Sequence, residues 1–148
     1  MNDEGFHWYL MVVDMVRKHI YVLDSLPCED RKWPRRRDVL KVAIFLEEML
    51  IHNSFYAHVI KLDRVKPIIH NYPIVEPIGL PRQSCGSNDC GVWVATWMQE
   101  CCWNDDYNFI DLCQDARMKL ALDLVHSSYN ELMDEVEEKA HHHWKNVA

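Results

Sequence analysis

The chain has 148 residues, of which 49% are hydrophobic and 26% are charged. This composition is typical of a folded chain with one buried core, and we expect a single domain over residues 1–148 with a flexible tail at 141–148. The formal net charge of -7 argues against nucleic-acid binding, since phosphate binding needs a net basic face. No apolar run is long enough to span a membrane and no secretory signal is visible, so we expect an intracellular protein in the nucleus or cytoplasm. We also expect it to be a monomer.

Two apolar runs near the N-terminus predict a β-hairpin. Residues 8–13 and 20–23 are rich in β-forming residues, and polar residues between them indicate a turn near residues 15–16. Folding about that turn opposes residues whose numbers add to 31, which would place His7 opposite Asp24 at the open end of the hairpin. Directly opposed side chains lie close enough for the Asp24 carboxylate to accept a hydrogen bond from the His7 imidazole N–H.

The middle of the chain is predicted to contain a helix and a short strand. A basic stretch, residues 31–37, precedes the helix, which is expected over residues 38–53 with Asp38 as its cap. Residues 74–78 are expected to form a strand, which Pro77 would restrict to the edge of a sheet.

The C-terminal half is predicted to be mainly helical. A loop at residues 81–89 leads into an apolar helix that begins at Cys90 and ends near Cys102. A final helix is expected over residues 111–140, with an apolar stripe at four-residue spacing that suits packing against the body of the domain.

The basic stretch has two interpretations. We favour a solvated loop, and the alternative is a nuclear-import signal or a patch for an acidic partner, because closely spaced like charges attract anions. The basic residues are Arg31, Lys32, Arg35, Arg36 and Arg37.

The cysteines are expected to be free thiols rather than disulfides, since no secretory context is visible. They are Cys28, Cys85, Cys90, Cys101, Cys102 and Cys113. Their spacings, taken together with those of His141, His142 and His143, match no zinc motif, so we expect no metal and no other cofactor.

Cys90 has the position that a nucleophile needs, at the start of a buried helix. Unpaired backbone N–H groups and the positive end of the helix dipole favour thiolate over thiol there. With Asp24 fixing its tautomer, His7 could accept the Cys90 proton, which gives the nucleophile, base and orienting acid of thiol acyl transfer. Gln83 and the Cys90 backbone N–H could then hold the oxyanion. The alternatives are a core cysteine at Cys90 and an ordinary loop residue at Gln83.

Three sequence blocks resemble the signature of the SUMO proteases, also called ubiquitin-like-protein proteases. They are HWYL at residues 7–10, VLDSLP at 22–27, and PRQ at 81–83 leading to DCGVW at 89–93. The resemblance implies an α+β, papain-like (adenovirus-proteinase-like) cysteine peptidase with a small mixed sheet flanked by helices. It also implies cleavage after the Gly-Gly tail of SUMO or another ubiquitin-like protein. Residues 116–125 and 129–131 look most like the plant members, many of them carried by transposable elements.

The resemblance also assigns the site residues. His7, Asp24, Gln83 and Cys90 take the positions of the family's catalytic residues, and Trp8 would line a tunnel over the Gly-Gly tail. The alternative for Trp8 is an aromatic side chain in the core beside the hairpin. Gln83 lies seven residues before Cys90, whereas the family's glutamine usually lies six before, so the loop carries one extra residue.

The family's domain normally has a substantial stretch before the histidine block, and only Met1 to Phe6 precede it here. The resemblance therefore implies a chain that lacks its N-terminal part. It leaves open a catalytically inactive binding module, or a degenerate transposon-derived remnant of the same fold. A third possibility, an acetyltransferase with the same catalytic order, is disfavoured by Trp8.

Overall fold

The computed structural model describes residues 1–3, 7–52, 67–84, 86–100 and 115–147. The chain divides into two compact units, residues 1–110 and 111–148, and each is described by itself. A compact unit need not fold independently, so the expectation of a single domain stays a prediction. No helix among the described residues is long and apolar enough to cross a membrane.

The described part of the first unit contains five short strands and two helices. The strands are β1 (Asn2–Asp3), β2 (His7–Trp8), β3 (Leu10–Asp14), β4 (His19–Leu23) and β5 (Ile74–Val75). The helices are α1 (Glu29–His52) and α2 (Cys90–Glu100), and a 3₁₀ turn spans Ile69–Asn71. This mixture of strands and helices confirms the predicted α+β class.

The strands form two small sheets. In the larger, the order is β3-β4-β5, with β3 antiparallel to β4 and β5 parallel to it, so β5 lies at an edge among the strands that the structure describes, as predicted. β5 ends at Val75, which leaves Pro77 outside the ladder, where its missing N–H costs no strand hydrogen bond. β1 and β2 pair with each other in the second sheet.

The hairpin is present, but the predicted register is wrong by two. Leu10 pairs with Leu23, so opposed residue numbers add to 33 rather than 31. The physical reason is the turn, which is built around Asp14: its carboxylate accepts hydrogen bonds from the backbone N–H groups of Val16 (2.9 Å) and Arg17 (2.7 Å). These bonds favour a longer turn than the pattern of apolar residues indicates.

α1 begins at Glu29, well before the predicted start, so Asp38 is not its cap and the basic stretch is helical rather than a loop. Two acidic residues, Glu29 and Asp30, lie in the first turn, where their negative charges interact favourably with the positive end of the helix dipole. The helix continues past Pro34 because Arg35, one residue later, is buried and ion-paired to distant carboxylates. Those contacts outweigh the hydrogen bond that proline removes.

The core of the first unit lies between α1 and the hairpin. Val39 and Ala43 on α1 are fully buried against the hairpin residues Tyr9, Ile20 and Val22. A second contact fixes the far end of the helix, where the buried Glu47 carboxylate accepts a hydrogen bond of 2.6 Å from the backbone N–H of His70. The hairpin is therefore packed against α1 through this core, and the 3₁₀ turn is hydrogen-bonded to α1 near its C-terminal end.

α2 begins at Cys90 as predicted, after a segment whose described residues, 81–84 and 86–89, form neither helix nor strand. Trp93 and Trp97 are its buried residues with the largest side chains, one helical turn apart on a single face. α2 packs against β2, the strand that carries His7. The predicted end at Cys102 lies outside the described residues.

The second unit contains α3 (Ala116–Val125) and α4 (Met133–Val147), so the prediction of one long helix is wrong. Asn130 explains the break: its side-chain amide donates to the Val125 carbonyl (2.7 Å), and its side-chain oxygen accepts from the Leu132 N–H (3.0 Å). A side chain that bonds the backbone on both sides competes with continued helix. α4 includes residues 141–147 of the expected tail. A helical conformation does not test whether these residues are mobile, so the flexible tail stays a prediction.

Candidate active site

His7 and Asp24 are in direct contact at the open end of the hairpin. The His7 Nε2 atom lies 2.6 Å from the Asp24 Oδ1 atom, and both side chains are largely buried. The contact exists although the two residues are not register partners. β2 leaves the hairpin to pair with β1, and Tyr9, at the point of departure, donates its backbone N–H to the Met1 carbonyl (3.0 Å). This departure brings His7 over the end of β4, where Asp24 follows Leu23.

Asp24 is held by more than His7. Its Oδ1 atom also accepts a hydrogen bond from the backbone N–H of Leu26 (2.8 Å), and its Oδ2 atom is ion-paired with the Arg35 guanidinium. Both carboxylate oxygens therefore have donors, and the carboxylate plane is fixed relative to the imidazole of His7.

The contact with Asp24 decides which nitrogen of His7 can act as a base. An ionised carboxylate has no proton to donate, so the His7 Nε2 atom must carry the proton of this hydrogen bond. In the neutral imidazole the lone pair is then on Nδ1. This tautomer leaves Nδ1 as the atom that could accept a thiol proton.

Cys90 is the first residue of α2, a free and half-buried thiol on an element that packs against the His7 strand. Among the described residues no hydrogen bond joins its thiol to His7. Such bonds are often long or poorly aligned in unliganded enzymes and shorten when substrate binds. An added Cβ at Gly91 would meet no atom within 4 Å, so open space lies beside the Cys90 backbone.

Gln83 is buried, and its side-chain amide is fixed on both sides. Its Oε1 atom accepts the Ser25 hydroxyl proton (2.8 Å), and its Nε2 atom donates to the Ser87 carbonyl (2.9 Å). A primary amide has two N–H donors, so one remains for an oxyanion. Ser25 is a residue that the sequence analysis missed, although its place directly after Asp24 was a usable signal.

A sequence model of the Ulp1 protease family, C-terminal catalytic domain, matches residues 1–134. The chain belongs to the Ulp1 protease family. This family consists of papain-like cysteine peptidases that act on SUMO and ubiquitin-like proteins, which confirms the predicted fold, the class of enzyme and the general kind of partner. No curated protein matches the chain, and no solved structure matches it either.

The site residues assigned from the resemblance to SUMO proteases all lie within the matched range, in two groups. His7, Asp24 and Trp8 lie at the open end of the hairpin, and Gln83 and Cys90 lie in and after the loop before α2. Ser25 connects the groups, because its hydroxyl and its carbonyl both bond Gln83. The catalytic and substrate-binding roles of these residues in this chain stay predictions.

Trp8 is not the core residue that the alternative interpretation required, since the residue is 48% exposed. It neighbours the buried His7 on a strand, so the two side chains point to opposite sides.

Among the described residues, no cluster of three or more His, Cys, Asp or Glu side chains could hold a metal ion. Cys85, Cys101, Cys102 and Cys113 lie outside the described residues.

Proposed function

We propose that this chain is a thiol peptidase or isopeptidase that cleaves after the Gly-Gly tail of SUMO or a related ubiquitin-like protein. Cys90 is the nucleophile, His7 the general base, Asp24 the orienting acid, and Gln83 an oxyanion donor. The observation that supports this proposal most strongly is the 2.6 Å hydrogen bond between His7 and Asp24. His7 lies on β2, and β2 packs against α2, the helix that begins at Cys90.

In the first step, the Cys90 thiol gives its proton to His7 Nδ1, and the sulfur attacks the carbonyl carbon of the last glycine of the tail. The Asp24 carboxylate stabilises the imidazolium that results. The carbonyl oxygen becomes an oxyanion, held by the backbone N–H of Cys90 and the free N–H of Gln83. The C–N bond then breaks as His7 returns the proton to the leaving amine.

In the second step, water hydrolyses the thioester. His7 takes a proton from the water, the resulting hydroxide attacks the thioester carbon, and the C–S bond breaks to release the tail as a carboxylic acid. The Cys90 thiolate regains the proton, which completes the cycle without a cofactor.

The proposed preference for a Gly-Gly tail has a physical basis at Trp8 and Gly91. Glycine lacks a side chain, so its backbone can pass close to an aromatic face such as that of Trp8, which is available to solvent. The open space beside Gly91 allows the scissile carbonyl to approach the Cys90 N–H. A residue with a bulky side chain would be excluded from such an approach.

The test is cleavage of SUMO and ubiquitin-like fusions by the parent chain and by Cys90→Ala. Cys28→Ala is the matched control, because Cys28 is also a free thiol but is exposed and lies just before α1. We expect cleavage by the parent and by Cys28→Ala and none by Cys90→Ala. Equal cleavage by all three chains would disprove the assignment of the nucleophile.

A second candidate function is a binding module that recognises ubiquitin-like proteins without cleaving them. The observation that favours it is the lack of a hydrogen bond between Cys90 and His7, both of which the structure describes. Titration of the purified chain with a SUMO C-terminal fusion distinguishes the two functions. Binding without cleavage of the fusion supports the module, and cleavage that depends on Cys90 supports the peptidase.

A further inference from the structure

Four side chains around the proposed catalytic acid form a closed network, which we define as His7, Asp24, Arg35 and Asp3. His7 contacts Asp24, Asp24 is paired with Arg35, and the Nε atom of Arg35 donates to the Oδ2 atom of Asp3 (3.0 Å). Asp3 is in turn the register partner of His7 across the β1–β2 ladder. The two ends of the network, Asp3 and His7, are therefore held next to each other by the pairing of β1 with β2.

The network is shielded from water. The exposed fractions of the four side chains are 6% for His7, 12% for Asp24, 10% for Arg35 and 9% for Asp3. Removing one partner of a buried ion pair leaves the other charge without compensation, which makes each member dependent on the rest. Arg31 adds a second cation at Asp3, with a separation of 3.5 Å between its Nη1 atom and Oδ1.

Arginine suits the central position for a geometric reason. Its rigid planar guanidinium presents Nε to Asp3 and Nη1 to Asp24, so one side chain fixes two carboxylates in a defined orientation. A lysine has the same charge but a single ammonium group, and would not hold both carboxylates in this way. Arg35 is in addition placed over the Tyr9 ring, 5.6 Å from its centroid, which restricts the guanidinium plane.

We propose that Arg35 and Asp3 are positioning residues for the reaction, acting through Asp24 on the orientation of His7. This inference rests on the proposed function. Without Arg35, the Asp24 Oδ2 atom loses its charged donor, and the carboxylate can rotate about its remaining contacts at Oδ1. The imidazole that it orients then loses its fixed orientation, and a small misplacement of a reacting group slows the chemical step.

The alternative is that the network stabilises the fold and nothing else. Asp3→Asn separates the two, because asparagine keeps the size of the side chain and an oxygen for Arg35 while removing the charge. Arg35→Lys keeps the charge and removes the second contact. Arg36→Lys is the matched control, since Arg36 is the next residue of α1 and its side chain is exposed.

The first measurement is steady-state cleavage of a SUMO C-terminal fusion, with urea unfolding of each variant. We expect kcat to fall about tenfold in Asp3→Asn and Arg35→Lys, with KM nearly unchanged, because a positioning defect acts on the chemical step. Arg36→Lys should behave as the parent chain. If folded Asp3→Asn and Arg35→Lys retain the parent kcat, or lose activity only as their folded fraction falls, the proposal is wrong.

The second measurement does not depend on turnover, and so separates this proposal from the proposed function. In proton–nitrogen NMR spectra, the His7 Nε2 proton should give a downfield, slowly exchanging signal in the parent chain and in Arg36→Lys, because it is donated to a buried carboxylate. We expect faster exchange of that proton in Asp3→Asn and Arg35→Lys. An unchanged signal in both variants would overturn the network, whereas a parent chain without cleavage but with these changes would refute only the peptidase.

Discussion

Ser25 donates its hydroxyl proton to the Gln83 side-chain oxygen across 2.8 Å, and Gln83 returns a backbone N–H bond of 3.0 Å to the Ser25 carbonyl. Ser25 is fully buried and directly follows Asp24, so this pair joins the hairpin end to the segment that leads into α2. The contact also fixes which side of the Gln83 amide is oxygen, because the Ser87 carbonyl on the other side can only accept a hydrogen bond.

Ser25→Ala should therefore impair both stability and catalysis. The Gln83 oxygen loses its donor in a buried position, which costs about 1–3 kcal/mol of unfolding free energy. The amide is then free to turn, and we expect kcat to fall about tenfold, less than the loss from removing an oxyanion donor altogether. Ser84→Ala, at an exposed site in the same segment, is the control. Urea unfolding and steady-state kinetics measure the two effects, and a kcat equal to that of Ser84→Ala would contradict the role of Ser25.

Gly91→Ala tests whether substrate occupies the open space beside Cys90. A Cβ there meets no atom within 4 Å, and alanine favours helix over glycine by up to about 1 kcal/mol, so stability should be unchanged or increased. Activity should nevertheless fall, because the methyl group takes space that the scissile carbonyl needs.

Gly86→Ala provides the comparison for that variant. Gly86 has a φ of 81°, in the left-handed region that alanine adopts only with strain, so Gly86→Ala should lose stability. Thermal unfolding and kinetics of both variants give the answer: full activity in Gly91→Ala would exclude the proposed approach of the carbonyl.

The sequence predicted the hairpin and the contact at its open end for reasons that are local. Runs of β-forming residues on either side of a polar segment indicate two strands, and a hairpin whose strands begin after His7 and end before Asp24 brings those two residues to the same end. The register was beyond this reasoning because it depends on how the Asp14 carboxylate bonds the backbone of the turn. The Asp14 side chain sets the register, and the pattern of apolar residues does not indicate which register it favours.

Long-range contacts explain the error at α1. The basic stretch has the composition of a solvated loop, and Pro34 favours a helix that starts after it. Arg35 is instead buried between Asp3 and Asp24, partners that are distant in the sequence. A pattern of like charges does not reveal which of its members is paired, so the network was not predictable from composition.

Tyr9 should make the free energy of unfolding depend on pH in the alkaline range. Burial is the main cause that raises the pKa of Tyr9 to about 12, and the Asp38 carboxylate adds to it. The unfolded chain loses the phenol proton near pH 10, whereas the folded chain keeps it to about pH 12. The unfolded state therefore binds fewer protons in this window, and stability falls as the pH rises from 10 to 12.

Urea unfolding of the parent chain and of Tyr9→Phe, at pH 9 and at about pH 11, measures this contribution. The loss of stability between the two pH values should be smaller in Tyr9→Phe. Burial also raises the pKa of Tyr72, so part of the loss should remain in that variant. Identical losses in the two chains would show that Tyr9 does not contribute.

Asp14→Ala should weaken the hairpin turn. The variant removes the acceptor of the Val16 and Arg17 backbone N–H groups, and the cost should be about 1–2 kcal/mol of unfolding free energy at neutral pH. The hydrogen bond from the Arg17 backbone N–H is the first cause of the lowered pKa of Asp14. A carboxylate with a lowered pKa stabilises the fold above its ordinary pKa, and this contribution is lost as the pH falls through the folded value.

The difference between parent and Asp14→Ala should accordingly shrink on acidification. Chemical unfolding from neutral pH to about pH 3 measures it, and Asp38→Ala is the control, because Asp38 lies on α1 away from the turn. A difference that stays constant over the whole range would mean that the charge of Asp14 does not stabilise the turn.

The most direct test of the central claim is the covalent reaction of the purified chain with SUMO whose C-terminal Gly-Gly tail carries a thiol-reactive electrophile, followed by mass mapping of the adduct. We expect one adduct, at Cys90, formed by the parent chain and by Cys28→Ala, absent from Cys90→Ala, and much slower in His7→Ala. An adduct at Cys28, or a reaction at Cys90 that proceeds equally fast without His7, would contradict the account.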